Sequence, residues 1–309
     1  MRIVFMGTPG FAIPSLAHLV LNHHQVTAVY TQPDRPAGRG QSLAPSPLKQ
    51  AALAMQLPVR QPASLKDTEA LEQLAELKPD VIVVTAYGKM LPRPVLDLPR
   101  YGCLNLHPSL LPRYRGASPV VAAILAGEEF TGVSVMLLDE GVDTGPVISQ
   151  AAVSISPRDN TGSLMGKLAQ VAARSLIEAL VHWSRGAIAP QPQNESEASY
   201  CATVAKSDGE IDWGMSAADI WRRVRAFNPW PGSYTRWQGK QLKIMEAVPL
   251  SAVRKSPGQV LSEESSMIGV GTGDGVLGVL RVQIEGRRAM SAAEFLRGHR
   301  DIVGAVLPS

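Results

Sequence analysis

The first hundred residues alternate between short apolar runs and segments whose apolar residues recur at helical spacing. RIVFM (2–6) is a compact apolar run broken by GTPG, and PSLAHLVLNHH (14–24) follows with a helical pattern. QVTAVYTQ (25–32) has strand composition, SPLKQAALAMQ (46–56) predicts a helix, and PVRQP (58–62) a short extended piece. In DTEALEQLAEL (67–77), Leu71, Leu74 and Leu77 are among the apolar residues that mark one helix face. DVIVVTAY (80–87) is a continuous β-branched run, as expected of a strand covered on both faces. GCLNLH (102–107) predicts a further strand. This alternation predicts an α/β domain with a doubly wound, mainly parallel sheet, whose ligands bind at the carboxyl ends of the strands.

The pattern changes at APQPQNESEASYCATV (189–204), which is rich in Pro, Gln, Asn, Ser and Glu and has the composition of a connector. Beyond it, SAADIWRRVRAF (216–227) predicts one amphipathic helix. Ser216 is its N-cap, Ile220, Val224 and Phe227 share a face, and Arg222, Arg223 and Arg225 lie elsewhere. After the turn NPWPG come SYTRW, QLKIMEAV, GQVLS, MIGVGTG and GVLGVLRVQI, short strand-like runs with Gly-rich turns that predict a small β-barrel. The expected organisation is a first domain over 1–189, a linker over 190–206 and a second domain over 207–309.

Composition narrows the function classes. A chain of 309 residues with 45% hydrophobic and 18% charged residues is globular and long enough for two domains. No apolar run approaches a membrane span, and MRIVFMGTPGFA has the pattern of a first strand rather than of a signal peptide. Cys103 and Cys201 lie far apart without metal-ligand spacing. No metal site is expected, and a reducing, cytoplasmic setting fits. Residues 1–205 carry 16 Lys and Arg against 16 Asp and Glu, so the net charge of +3 resides in the last third. That is a mild pointer to a polyanionic partner. Nothing in the sequence demands a dimer, and a monomer is expected.

The chemistry concentrates in LNLHPSLLPRYRG (104–116). GTPG lacks the GxGxxG spacing of a dinucleotide site, so Gly7 and Gly10 are expected to serve a tight turn, and a nicotinamide oxidoreductase is disfavoured. His18, His23 and His24 fall on or beside a predicted helix, and His182 and His299 have no polar companions of note. His107 differs, because Asn105 lies two residues earlier on the same strand face. Both side chains can donate hydrogen bonds to a developing oxyanion. A carboxylate from LDEGVDTGPV would orient the imidazole, with Asp139, Glu140 and Asp143 all candidates. The combination suits acyl transfer without a protein nucleophile.

NLHPSLLPRYRG, with DEGVDTG downstream, resembles the folate-dependent formyltransferases. The resemblance implies a Rossmann-like catalytic domain, assigns Asn105, His107 and Asp143 as the catalytic set, and gives Ser109, Leu110, Leu111 and Pro112 contact with the folate. TQPDRPAGRG (31–40), AYGKMLP (86–92), AFNPWPGSYT (226–235) and GTGDGVL (271–277) extend it over nearly the whole chain. These segments resemble the branch that formylates methionine esterified to initiator tRNA, with 10-formyltetrahydrofolate as donor and no metal. The resemblance further implies that Arg35 and Arg39 reach the tRNA and that an OB-like second domain supports it. Gly10 departs from the acidic residue expected in GTP-x-FA.

PDRPAGRGQSLAPSP (33–47) is itself Gly- and Pro-rich with two guanidinium groups, and predicts a mobile surface loop able to reach phosphates. A nucleotide-linked amino sugar is the alternative acceptor, but RPAGRG has no obvious use against one. A non-enzymatic RNA-binding protein is disfavoured by the intact Asn105, His107 and Asp143.

Overall fold

The computed structural model describes residues 1–37, 42–250, 256–262 and 267–309. Two compact units emerge, one of Met1–Pro119, Phe130–Ser154 and Met165–Cys201, the other of Val120–Glu129, Ile155–Leu164 and Ala202–Ser309.

The first unit carries β1 (Arg2–Gly7), β2 (Gln25–Tyr30), β3 (Arg35–Ala37), β4 (Ser42–Ala44), β5 (Val59–Arg60), β6 (Val81–Thr85) and β7 (Cys103–His107). It also carries β8 (Arg115–Gly116), β9 (Phe130–Leu137), β10 (Val147–Ser154) and β11 (Tyr200–Cys201). Seven of these strands form one sheet in the order β10-β9-β7-β6-β1-β2-β5. The pairs from β7 to β5 are parallel, and β9 and β10 are added antiparallel. The sheet is therefore mainly parallel, as the sequence predicts. Residues Val81–Val84 of β6 are all buried, which agrees with their unbroken β-branched run. Each such side chain contributes about 1.5–3 kcal/mol on burial.

The strand order reverses between β1 and β6, and the loops that leave this switch point are tied together. Thr8 Oγ1 donates to the Tyr87 carbonyl at 3.1 Å, and Gln32 Nε2 donates to the same oxygen at 3.0 Å. Gly7 is required for this close approach, since a Cβ there would lie 2.8 Å from the Thr85 carbonyl oxygen. A Cβ at Gly10 would meet nothing within 4 Å, so an acidic side chain would fit there. The segment expected to be a mobile loop instead contains a short hairpin, with β3 antiparallel to β4. Its base is fixed by Lys49 Nζ on Asp34 Oδ2 (2.7 Å) and by Thr31 Oγ1 against Ser46 Oγ (2.7 Å). Arg35 is exposed on this hairpin, and Arg39 lies outside the described residues.

The second unit is built on a curled antiparallel sheet, a half-barrel, in the order β12-β13-β16-β15-β14, with β17 against β16. The strands are β12 (Ser233–Trp237), β13 (Lys240–Leu250), β14 (Val260–Ser262), β15 (Ile268–Gly271), β16 (Val276–Ile284) and β17 (Met290–Ser291). Trp213, Trp237, Ile244, Val279 and Phe295 are central to its core. The amphipathic helix spans Ala217–Ala226, and the Ser216 side chain accepts from Asp219 N, as its N-cap position predicts. Ile220, Val224 and Phe227 are buried.

The arginines of that helix bond within the same unit. Arg225 stacks on Trp221 with 4.3 Å to the ring centroid and donates to the Asp159 and Ser156 carbonyls. Arg223 donates to the Asp208 carbonyl, and Arg222 pairs with Asp219 at 3.2 Å. Among the described residues, no helix is long and apolar enough to cross a membrane.

Candidate active site

β7 ends at the carboxyl edge of the sheet, between β6 and β9, and this position determines which side chains face a ligand. Its register sets Asn105 beside Val84 and Met136, and His107 beside Ser134. The alternation of a strand then puts Asn105 and His107 on one face. Asn105 is half-buried, and His107 is 4% exposed.

Of the three carboxylates that spacing leaves open, the structure brings to this pair Asp143, the one that the resemblance selects. Asn105 Nδ2 donates to Asp143 Oδ1 at 3.2 Å, and the Gly116 N–H donates to Asp143 Oδ2 at 2.9 Å. His107 Nδ1 lies 3.5 Å from Asp143 Oδ2. Asp139 is engaged inside its own loop, accepting from Gly141 N and Thr144 Oγ1. Glu140 is exposed. Asp143 has φ 55°, a left-handed conformation that Asp tolerates better than most residues.

The other imidazole nitrogen fixes the proton arrangement. His107 Nε2 lies 2.9 Å from the Tyr114 carbonyl oxygen, which can only accept, so Nε2 carries a proton and donates. Nδ1 is left to face Asp143 and any substrate. It is a lone pair in the neutral ring and a donor in the cation, so Nδ1 is the ring nitrogen able to exchange a proton or contact a ligand here.

The loop Ser109–Pro112 divides into inward and outward groups. Ser109 is fully buried, with its hydroxyl donating to the Arg113 carbonyl (2.7 Å) and its carbonyl accepting from Ser134 Oγ (2.7 Å). Leu111 is also buried, with its N–H on Ser134 Oγ and its carbonyl accepting from Gln150 Nε2. These two residues shape the loop from inside, whereas Leu110 and Pro112 keep open surface.

Sequence reasoning passed over the residues that surround this group. Arg115 is wholly buried, yet its partner Glu195 is 70% exposed. The guanidinium grips that carboxylate through two bonds, of 2.7 and 3.0 Å, and also donates to Gln193 Oε1 and to the Tyr200 hydroxyl. Hydrogen bonding to Glu195 raises the Arg115 pKa, and the same bond holds the Glu195 carboxyl below the ordinary carboxylate range. β11 pairs in parallel with β8, so residues 200–201 of the segment with connector composition belong to a strand pair beside the site. Burial is the main cause that pushes the Cys201 thiol up. The local signal for this arrangement was the RYRG tail of the motif, but a sequence does not distinguish a buried arginine from an exposed one.

Gly116 is where the backbone itself requires glycine. Its φ is +108°, and a Cβ would stand 2.5 Å from the Cys201 carbonyl oxygen. Gly116→Ala is expected to destabilise this corner by about 1–3 kcal/mol and to misplace the N–H on Asp143. Thermal denaturation and kcat should therefore fall together, and an unchanged kcat would show that this N–H is dispensable.

The sequence matches the family described as "Formyl transferase" over residues 1–180 and "Formyl transferase, C-terminal domain" over residues 203–300. A protein named methionyl-tRNA formyltransferase from Dehalococcoides mccartyi (strain ATCC BAA-2266 / KCTC 15142 / 195) is 51% identical over 99% of this chain and 98% of its own. One of the same name from Methylococcus capsulatus is 47% identical over 97% of each. Among solved structures, an N-formyltransferase from Helicobacter canadensis with folinic acid and dTDP-3-aminofucose superposes with TM-score 0.68 at 19% identity, covering 90% of this chain and 98% of that one. HypX from Aquifex aeolicus in complex with tetrahydrofolic acid gives TM-score 0.66 at 20% identity, and the chain covers 96% of itself and 47% of that longer protein. These two similarities establish a shared fold.

Proposed function

The chain belongs to the formyl transferase family, and from that premise we propose that Asn105, His107 and Asp143 transfer the formyl group of 10-formyltetrahydrofolate to the amino group of methionyl-tRNA. The product is the formylmethionyl-tRNA of translation initiation. The observation that carries this reading is the meeting of Asn105, His107 and Asp143 at the end of β7. Residues 1–189 hold the chemistry, residues 207–309 bind tRNA, and the enzyme works as a monomer in the cytoplasm.

In the reaction, the neutral amino group attacks the formyl carbon and generates a tetrahedral oxyanion. Asn105 Nδ2 and a protonated His107 Nδ1 are placed to donate to it, each donor contributing about 3 kcal/mol in comparable sites. Asp143 orients the imidazole and accepts the proton that the amine gives up. Collapse of the intermediate breaks the bond to the folate nitrogen, which takes up the proton that Asp143 accepted and leaves as tetrahydrofolate, with Asp143 again a carboxylate. The open faces of Leu110 and Pro112 offer apolar surface to the folate beside these donors. Ser109 and Leu111, spent on internal bonds, hold that loop in shape.

A formyl-transfer assay with charged initiator tRNA, free methionine and a nucleotide-linked amino sugar tests the reading. Turnover with the charged tRNA and little with the others is expected. Preference for the sugar nucleotide would replace the acceptor while keeping the chemistry.

Arg35, exposed on the β3–β4 hairpin, and Arg39 are placed by this reading against tRNA phosphates. Arg35→Ala should then raise KM for the tRNA several-fold, leave kcat near wild type and reduce the salt slope of affinity by about 1. Affinity that does not respond to ionic strength would remove the phosphate-contact role.

A further inference from the structure

The candidate catalytic residue Asp143 and the neighbouring Tyr114 adopt backbone conformations that cost free energy without outside support. Asp143 has φ 55° and Tyr114 has φ 61°, both in the left-handed region, where a non-glycine residue is disfavoured by about 1–2 kcal/mol. Each is engaged by a residue from the segment with connector composition. Gln193 Nε2 donates to the Asp143 carbonyl at 2.8 Å and to the Gly145 carbonyl at 2.7 Å. The Ser199 hydroxyl accepts the Tyr114 N–H at 2.9 Å, and the Tyr114 carbonyl in turn accepts from His107 Nε2.

We infer that residues 193–201 are a positioning strap for the catalytic pair, with Gln193 setting Asp143 directly and Ser199 setting His107 through Tyr114. The inference rests on the catalytic reading of His107 and Asp143.

The strap is held in its own place by Arg115. That guanidinium donates to Gln193 Oε1 at 3.0 Å, so the Gln193 amide is oriented with its NH₂ toward the Asp143 loop. The same arginine grips Glu195 and the Tyr200 hydroxyl further along the strap. Backbone bonds complete the seam, with Ser199 N–H on the Pro112 carbonyl (3.2 Å) and Arg115 N–H on the Ser199 carbonyl (2.8 Å). The Asp143 carboxylate is thus fixed from one side by the N–H of Gly116, while its backbone is fixed from the other by Gln193. Supporting groups of this kind act on reactivity through orientation; around metal ligands the loss of such a partner typically costs about 10–100-fold in affinity or activity, and a comparable scale is expected here.

The test uses full-length Gln193→Met, Ser199→Ala and Ser199→Thr proteins, with Asp143→Asn beside them. Gln193→Met keeps the side-chain length and removes both donors and the acceptor. Its kcat with charged initiator tRNA is expected to fall by about 10-fold or more. KM for each substrate and the Kd for 5-formyltetrahydrofolate, a non-reacting probe, should stay within about twofold. Ser199→Ala should also lower kcat, and Ser199→Thr, which keeps the accepting oxygen, should restore it.

A fall in Tm with kcat unchanged at temperatures where the protein is folded overturns the proposal, as does a rise in KM alone. So does Ser199→Thr behaving no better than Ser199→Ala, and that pair decides the matter if Gln193→Met does not fold. Full turnover by Asp143→Asn would remove the catalytic reading beneath the strap. An inactive Asp143→Asn beside an unimpaired Gln193→Met would remove the strap alone.

Discussion

Asp143→Asn is expected to lower kcat by about 10²–10⁴-fold, with affinities for the folate and for methionyl-tRNA held within about twofold. The substitution is nearly isosteric, and Asn is as much at ease as Asp at φ 55°. The remaining amide oxygen can still accept the Gly116 N–H, now 2.9 Å from Oδ2. What disappears is the negative charge facing His107 Nδ1 at 3.5 Å, and with it the acceptor for the proton of the attacking amine. Steady-state kinetics combined with equilibrium binding of each substrate measures this. Binding that weakens in step with kcat would make Asp143 a support for its loop rather than a participant in the chemistry.

Asn105→Ala should lower kcat by about 10²–10³-fold, the loss of one oxyanion donor worth about 3 kcal/mol. Asn105 is half-buried and its strand pairing is made by the backbone, so the substitution should leave Tm close to that of the parent. It also removes the 3.2 Å bond from Nδ2 to Asp143. The double variant with Asp143→Asn should therefore lose less than the product of the two single effects, as coupled neighbours do. A Tm that collapses together with kcat would assign Asn105 to folding instead of catalysis.

The parallel core was legible because its strands are unbroken apolar runs, with Val81–Val84 covered on both faces. Strands β9 and β10 were harder to see. β10 is a sheet edge whose residues VISQAAVS alternate between partial burial and exposure with mostly small side chains, so the contrast in hydrophobicity is weak. Asn105 and His107 were readable from two-residue spacing alone, since a strand puts alternate residues on one face. Spacing did not select Asp143, because the three carboxylates of DEGVD differ only in a loop conformation that it does not encode; the resemblance of DEGVDTG to the folate-dependent formyltransferases did.

The arginines of Ala217–Ala226 teach a related lesson. Their pattern on the helix was correct, but Arg225 on Trp221 and Arg223 on a backbone carbonyl are internal contacts. A basic helix face in a sequence resembles a phosphate-binding face until its partners are seen. Residues 193–201 escaped notice for a different physical reason. Their attachment is made by hydrogen bonds and one ion pair, with little apolar burial, and hydropathy does not register such contacts.

Arg115 and Glu195, 80 positions apart in sequence, give the order of synthesis a bearing on activity. Domains begin to fold while the chain is still being made, at about 5–20 residues per second. Gln193 follows Asp143 by 50 residues, an interval of roughly 3–10 s at that pace. For most of that interval the sheet strands up to Ser154 are already synthesised, while the Asp143 carbonyl lacks Gln193 and the Tyr114 N–H lacks Ser199. If residues 193–201 position the catalytic pair as inferred, a nascent chain acquires a recognisable fold before it acquires a set active site, and competence waits for nine residues with the composition of a linker.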